Sequence, residues 1–128
     1  MPDAIRYTDT SQLAFPAPVG GVVDGVAYLY GDLVVTPEGT EVAGVWLTHR
    51  MKMYTNVVEK QVTASAADIN LGDRLYHHAA GVINEVAAAA LGVAGYAWVA
   101  FADRKLAHTD PVIASGSSAN ICVIESLV

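Results

Sequence analysis

Four histidines, His49, His77, His78 and His108, are the residues best suited by type to metal or acid–base chemistry. His77 and His78 are adjacent, so on a strand they point to opposite faces and cannot make the same-face pair that an H-x-H motif offers a metal. Asp73 and Glu85 lie close enough in sequence to complete a histidine–carboxylate ion site with one of them. Three or four convergent ligands are needed, however, and a solvated histidine at a strand end is the simpler reading. Paired-carboxylate catalysis needs two acids facing one pocket. Asp24, Asp32, Asp73 and Asp103 all fall at apparent turns, where aspartate usually bonds its own backbone. Cys122 lies between Ile121 and Val123, an apolar setting that suits packing rather than nucleophilic attack. Trp46 and Trp98 could stack sugar rings, but among Val, Leu and Ala they read as core residues. The sequence has no Walker loop, G-x-S-x-G, H-E-x-x-H or CxxC. No catalytic residue, metal or cofactor is expected.

Composition narrows the partners. The 128 residues suit one domain. With 53% apolar and 16% charged residues, the chain can bury a real core. The formal charge is −6, from 7 basic and 13 acidic residues, which argues against nucleic acid or an anionic membrane as partner. A single cysteine excludes an intrachain disulfide. The longest uncharged run, 86–102, is rich in alanine, broken by Gly92 and Gly95 and flanked by acids, so it is not read as a membrane span. No secretory signal is visible, and synthesis in a cytoplasm is expected.

The elements that must position these residues read as β-structure. Residues 1–21 carry Pro2, Pro16 and Pro18, then Gly20-Gly21, a poor central strand. They suggest an extended N-terminal arm, with Ile5, Tyr7, Leu13 and Phe15 on a mostly polar thread. From Val22 a hairpin is expected over Asp24-Gly25, then a strand at Leu33–Thr36 and a turn at Pro37-Glu38-Gly39. Residues 42–54 alternate as a half-exposed strand, with Met51 and Met53 on one face, and 56–62 continue or return it. Ser65–Asp68 resembles a helix cap with too little after it for more than one turn. Strands follow at Arg74–His78, from Val82 and at Tyr96–Phe101. A closing hairpin is expected between 112–114 and 120–124, whose last strand is apolar on both faces and so central. Seven to nine short strands and no long amphipathic helix make the class all-β, a small single-domain sandwich or barrel spanning 22–128.

Glycine and valine spacing adds a resemblance. Gly20-Gly21-Val22, Gly31-Asp32-Leu33-Val34, Glu41–Trp46, Ile69-Asn70-Leu71-Gly72-Asp73-Arg74-Leu75-Tyr76, Gly81 and Val93–Ala97 occur in that order. The series resembles the capsid cement, or head decoration, proteins of tailed bacteriophages, over roughly 20–125. Residues 51–62 and 103–111 are longer than that pattern, as is the arm. The resemblance implies a β-tulip-like fold and a non-catalytic homotrimer on the virion exterior. Its partner would be the major capsid protein, whose neighbouring subunits it clamps. On that reading Ile5, Tyr7, Leu13 and Phe15 are expected to dock the arm on the shell or on a neighbour's sheet edge. Trp46, Met51 and Met53 are candidate oligomer contacts. The competing expectations are a small β-barrel metal enzyme using His77 or His78 with Asp73 or Glu85, and a carbohydrate-binding module using Trp46 or Trp98.

Overall fold

A computed structural model describes residues 6–99, 107 and 109–127, with the side chains of 6–12, 52–56 and 126–127 outside that description. The described residues form eight strands: β1 (Arg6–Pro16), β2 (Tyr28–Tyr30), β3 (Leu33–Pro37), β4 (Trp46–Thr63), β5 (Arg74–His77), β6 (Ile83–Asn84), β7 (Gly92–Trp98) and β8 (Ser118–Leu127). The regular structure is all-β, as the strand pattern implies. The described residues contain one 3-10 turn, Ala79–Gly81, and no helix long and apolar enough to cross a membrane.

β4 organises the molecule because its 18 residues serve two sheets. Its first half lies between β1 and β3, and β3 in turn carries β2. Its second half closes a five-strand barrel in the order β4-β6-β5-β7-β8, with β8 returning to β4. The changeover coincides with a register shift between Asn56 and Val57 against β8, the kind of irregularity that bends a strand.

Two cores follow from this division. Inside the barrel, Val62, Ile69, Leu75, Ile83, Ala97, Ile121 and Val123 pack together. Between the barrel's outer face and the second sheet lie Leu13, Phe15, Tyr30, Val35, Met51, Val57, Trp98, Cys122 and Ile124. β8 therefore sends Ile121 and Val123 into one core and Cys122 and Ile124 into the other. That explains its unbroken apolar run, since a strand buried on both faces cannot alternate.

From Arg6 to Pro16 the N-terminal segment is extended, but as a strand of the fold rather than an arm standing clear of it. β1 pairs antiparallel with β4 from Arg6↔Val58 to Pro16↔Trp46. Leu13 is 5% exposed and Phe15 0%. The Phe15 ring lies 4.9 Å from Tyr30 and meets His49 edge-on at 5.4 Å. Tyr30 Oη donates to the Pro16 carbonyl at 2.8 Å, and Trp98 Nε1 to the Ala14 carbonyl at 2.9 Å. Those carbonyls are two residues apart and share one edge of the strand. Leu13 and Phe15 are thus core residues, unavailable to a shell. The expectation that they dock outward is corrected: burying them on the chain's own aromatic cluster removes them from water without any partner.

Two expected hairpins are replaced. Asp24-Gly25 does form a turn, with Val26 N–H donating to the Val23 carbonyl at 3.1 Å. Its flanks do not pair with each other, because Val22 bridges Glu41 and Gly25 N–H donates to the Pro37 carbonyl. The hairpin is one step later: Tyr30 faces Leu33 across Gly31-Asp32, with Gly31 at φ 60°, a positive φ suited to a primed turn. At the other end, Ile113 bridges Ile69 rather than pairing with β8. Turns form in both places, and long-range partners take the backbone groups that a hairpin would have used.

Candidate interaction surface

The residues considered for chemistry do not converge. His78 Nε2 lies 2.8 Å from the Val86 carbonyl. Glu85 is turned to the 65–67 loop, where its carboxylate accepts the N–H groups of Ser65, Ala66 and Ala67 at 2.6, 2.8 and 3.1 Å. Partial burial pushes this carboxyl up, but the backbone donors outweigh it and hold it below its ordinary 4.5. Asp73 accepts the Asn70 N–H at 2.7 Å, and burial pushes its carboxyl up, with Asp32 adding to the rise. No group of three or more His, Cys, Asp or Glu able to hold a metal occurs among the described residues. Trp98 is 2% exposed and cannot stack a sugar.

His49 belongs to the second core. It is fully buried, with Nδ1 3.1 Å from the Leu47 carbonyl and Nε2 2.6 Å from Tyr28 Oη. A neutral ring satisfies both contacts: Nδ1–H donates to Leu47, and Nε2 accepts from the tyrosine. Burial holds this imidazole below its ordinary 6.5, against opposing effects of the Leu47 carbonyl and Glu38. Burial likewise pushes the Tyr28 and Tyr30 phenols up, so both keep the O–H groups they donate.

The oligomer candidates separate. Met51 is 2% exposed in the second core, so its assignment to a contact with another copy is corrected. Its side chain points inward because it alternates with Arg50, which faces solvent. Trp46 is half-buried and packs on the same core. Ile5 and the side chains of Tyr7 and Met53 lie outside the described residues.

The most unusual surface is one that the residue pattern does not single out. Three turns, 18–21, 23–26 and 42–45, each close with an i to i+3 backbone hydrogen bond. They are stitched together by Ala17 N–H to the Val45 carbonyl, Gly44 N–H to the Ala17 carbonyl, and reciprocal bonds between Val22 and Glu41. On this frame Val19, Val23, Val26 and Val42 are 80%, 58%, 58% and 73% exposed, with Val45 partly so. Beside it, Leu29 and Val34 face each other across the β2–β3 hairpin, both exposed. Seven large aliphatic side chains in these two segments are therefore exposed, five of them on turns whose backbone hydrogen bonds leave little freedom to bury them. Extended apolar patches of this sort mark interaction sites in soluble proteins. Val82, Leu91 and Val93 are exposed too, next in sequence to Ile83 and Gly92, the strand partners of His77. The one available sequence signal, valines inside turn-forming segments that run over the surface, does not separate the exposed valines of the turns from Val22, which lies among them and is buried.

Compared with protein-family models, curated proteins and solved structures, the chain finds no match in any of the three.

Proposed function

We propose that this chain is a structural virion protein, a capsid cement protein that binds the outer face of a tailed-phage shell as a homotrimer and clamps neighbouring major capsid subunits. The observation that carries the reading is the aliphatic turn cluster, a large apolar surface on a frame pinned by backbone hydrogen bonds. Such a surface needs a partner, and its rigidity reduces the ordering cost of binding one. The Gly-Asp segments behind the resemblance have structural work here: the Gly31-Asp32 and Gly72-Asp73 turns pack against each other and join the hairpin to the barrel. That suits a protein whose recurring residues maintain shape rather than a reaction centre. The negative charge suits an exterior position away from the genome. Many copies on a repeating lattice turn modest single contacts into firm attachment.

The role is mechanical, with no substrate and no cofactor. The test is co-sedimentation of the purified chain with shells assembled from the major capsid protein of the same genome, alongside its free solution mass by light scattering. Saturable binding and a trimer mass support the reading. A chain left in the supernatant at about micromolar concentration, where a cement protein of even modest affinity would be bound, overturns it.

A further inference from the structure

We propose that the turn cluster, with Leu29 and Val34 beside it, is the docking face, and that it fits a protein surface with an apolar centre ringed by lysine and arginine on the outside of the shell. The inference rests on the cement reading above and adds the face and its partner's chemistry.

Charge carries the second half. From residue 7 to residue 49 the sequence holds five carboxylates, Asp9, Asp24, Asp32, Glu38 and Glu41, and no lysine or arginine. Asp24 and Glu41 are held beside the exposed valines: Asp24 N–H donates to Thr40 Oγ1 at 3.0 Å, and Glu41 exchanges backbone bonds with Val22. Arg50, next along β4, lies 3.9 Å from Glu38. The charged residues within the turn cluster itself, Asp24 and Glu41, are therefore both acidic. Any contact that set this face against the same face of another copy would bring Asp24 and Glu41 of one against those of the other, a repulsive arrangement. An anionic lipid surface is disfavoured by the same sign. A basic-rimmed protein surface is attracted at long range and seated by the valines.

The experiment is quantitative co-sedimentation with capsid shells lacking this protein. It compares the wild-type chain, the double variant Val19→Ser/Val42→Ser, Leu29→Ser, Asp24→Lys and a control on the barrel beside β5, Leu91→Ser. All these side chains are exposed, so thermal midpoints are expected to match the wild type, and Leu29→Ser serves independently if the turn variant folds poorly. The double variant is expected to bind about tenfold more weakly or worse, and Leu29→Ser several-fold more weakly. Raising salt from about 50 to about 300 mM is expected to weaken wild-type binding several-fold, and Asp24→Lys to reduce both affinity and that dependence. Leu91→Ser is expected to bind as the wild type does. If the wild type binds but Val19→Ser/Val42→Ser and Leu29→Ser bind equally well, or salt has no effect, the docking inference is overturned and the cement reading stands. If these variants instead lower the mass of the free protein and leave shell binding intact, the face belongs to a second copy and the inference is again overturned. A wild type that binds no shell at either salt concentration overturns both.

Discussion

Gly31 and Gly72 meet where the β2–β3 hairpin crosses onto the barrel, so closely that neither position has room for a side chain. A Cβ on Gly72 would run into the carbonyl of Tyr30, and one on Gly31 into the backbone of Gly72 and Asp73. Both residues have positive φ, 60° and 84°. Asp32 N–H donates to the Gly72 carbonyl at 3.0 Å, and Asp32 Oδ2 accepts the Arg74 N–H at 2.8 Å, locking the two turns together.

Substituting either of these glycines by alanine is expected to cost about 3 kcal/mol or more, from strained φ together with a backbone clash. Gly20 and Gly25 also have positive φ, but a Cβ at either would meet nothing within 4 Å, so alanine there is expected to cost about 1 kcal/mol. Denaturant unfolding of the four single variants checks the contrast, and equal losses at all four would refute the locked-turn account.

Truncating Phe15 to alanine is expected to destabilise the fold by about 3–5 kcal/mol, because the residue is fully buried between Tyr30 and His49. Deleting residues 1–18 removes β1 altogether and is expected to leave a chain without a cooperative unfolding transition. A deletion that melts like the full chain would restore the idea of a free arm.

Acid is expected to weaken the fold first through His49. Its folded-state pKa lies below 6.5, so between the two values the unfolded chain binds a proton that the folded chain does not. Stability is therefore full above about pH 6.5, falls as pH drops below it, and levels off once the buried ring is charged in both states. His49→Phe keeps a planar ring but adds volume and removes the acceptor, and is expected to cost about 1–3 kcal/mol at neutral pH for the stranded Tyr28 hydroxyl and the overpacking. It should also flatten the pH dependence between about pH 6.5 and the carboxylate range. A wild-type midpoint that is constant down to the carboxylate range would contradict this.

Glu85 acts in a lower window. Its folded-state pKa lies below 4.5, so its contribution is present above that pH and is lost as pH falls through the depressed value. Glu85→Ala strands three loop N–H groups and is expected to cost about 1 kcal/mol near neutrality. Hydrogen exchange at Ser65, Ala66 and Ala67 should speed up in the variant, and unchanged exchange there would argue against the cradle.

The residue pattern by itself determined the all-β class, because period-two alternation and turn residues are local properties of the backbone. It also marked β8 as central, since Ile121–Ile124 leaves no polar face for solvent, and it placed the turns at Asp24-Gly25 and Ala79–Gly81. Only the tertiary structure decided what pairs with what. Leu13 and Phe15 read equally well as outward anchors or inward core until β1 is seen lying on β4, for an apolar side chain carries no information about which surface will cover it. Met51 is ambiguous for the same reason. The valines of the turn cluster escape a reading by residue type because valine ordinarily signals burial. Their exposure follows from long-range bonds such as Ala17–Val45 and Val22–Glu41 that no local window contains. Glu85 loses its place in a metal site to the 65–67 loop because three backbone donors, eighteen to twenty residues away in sequence, converge on its carboxylate only once the barrel has closed.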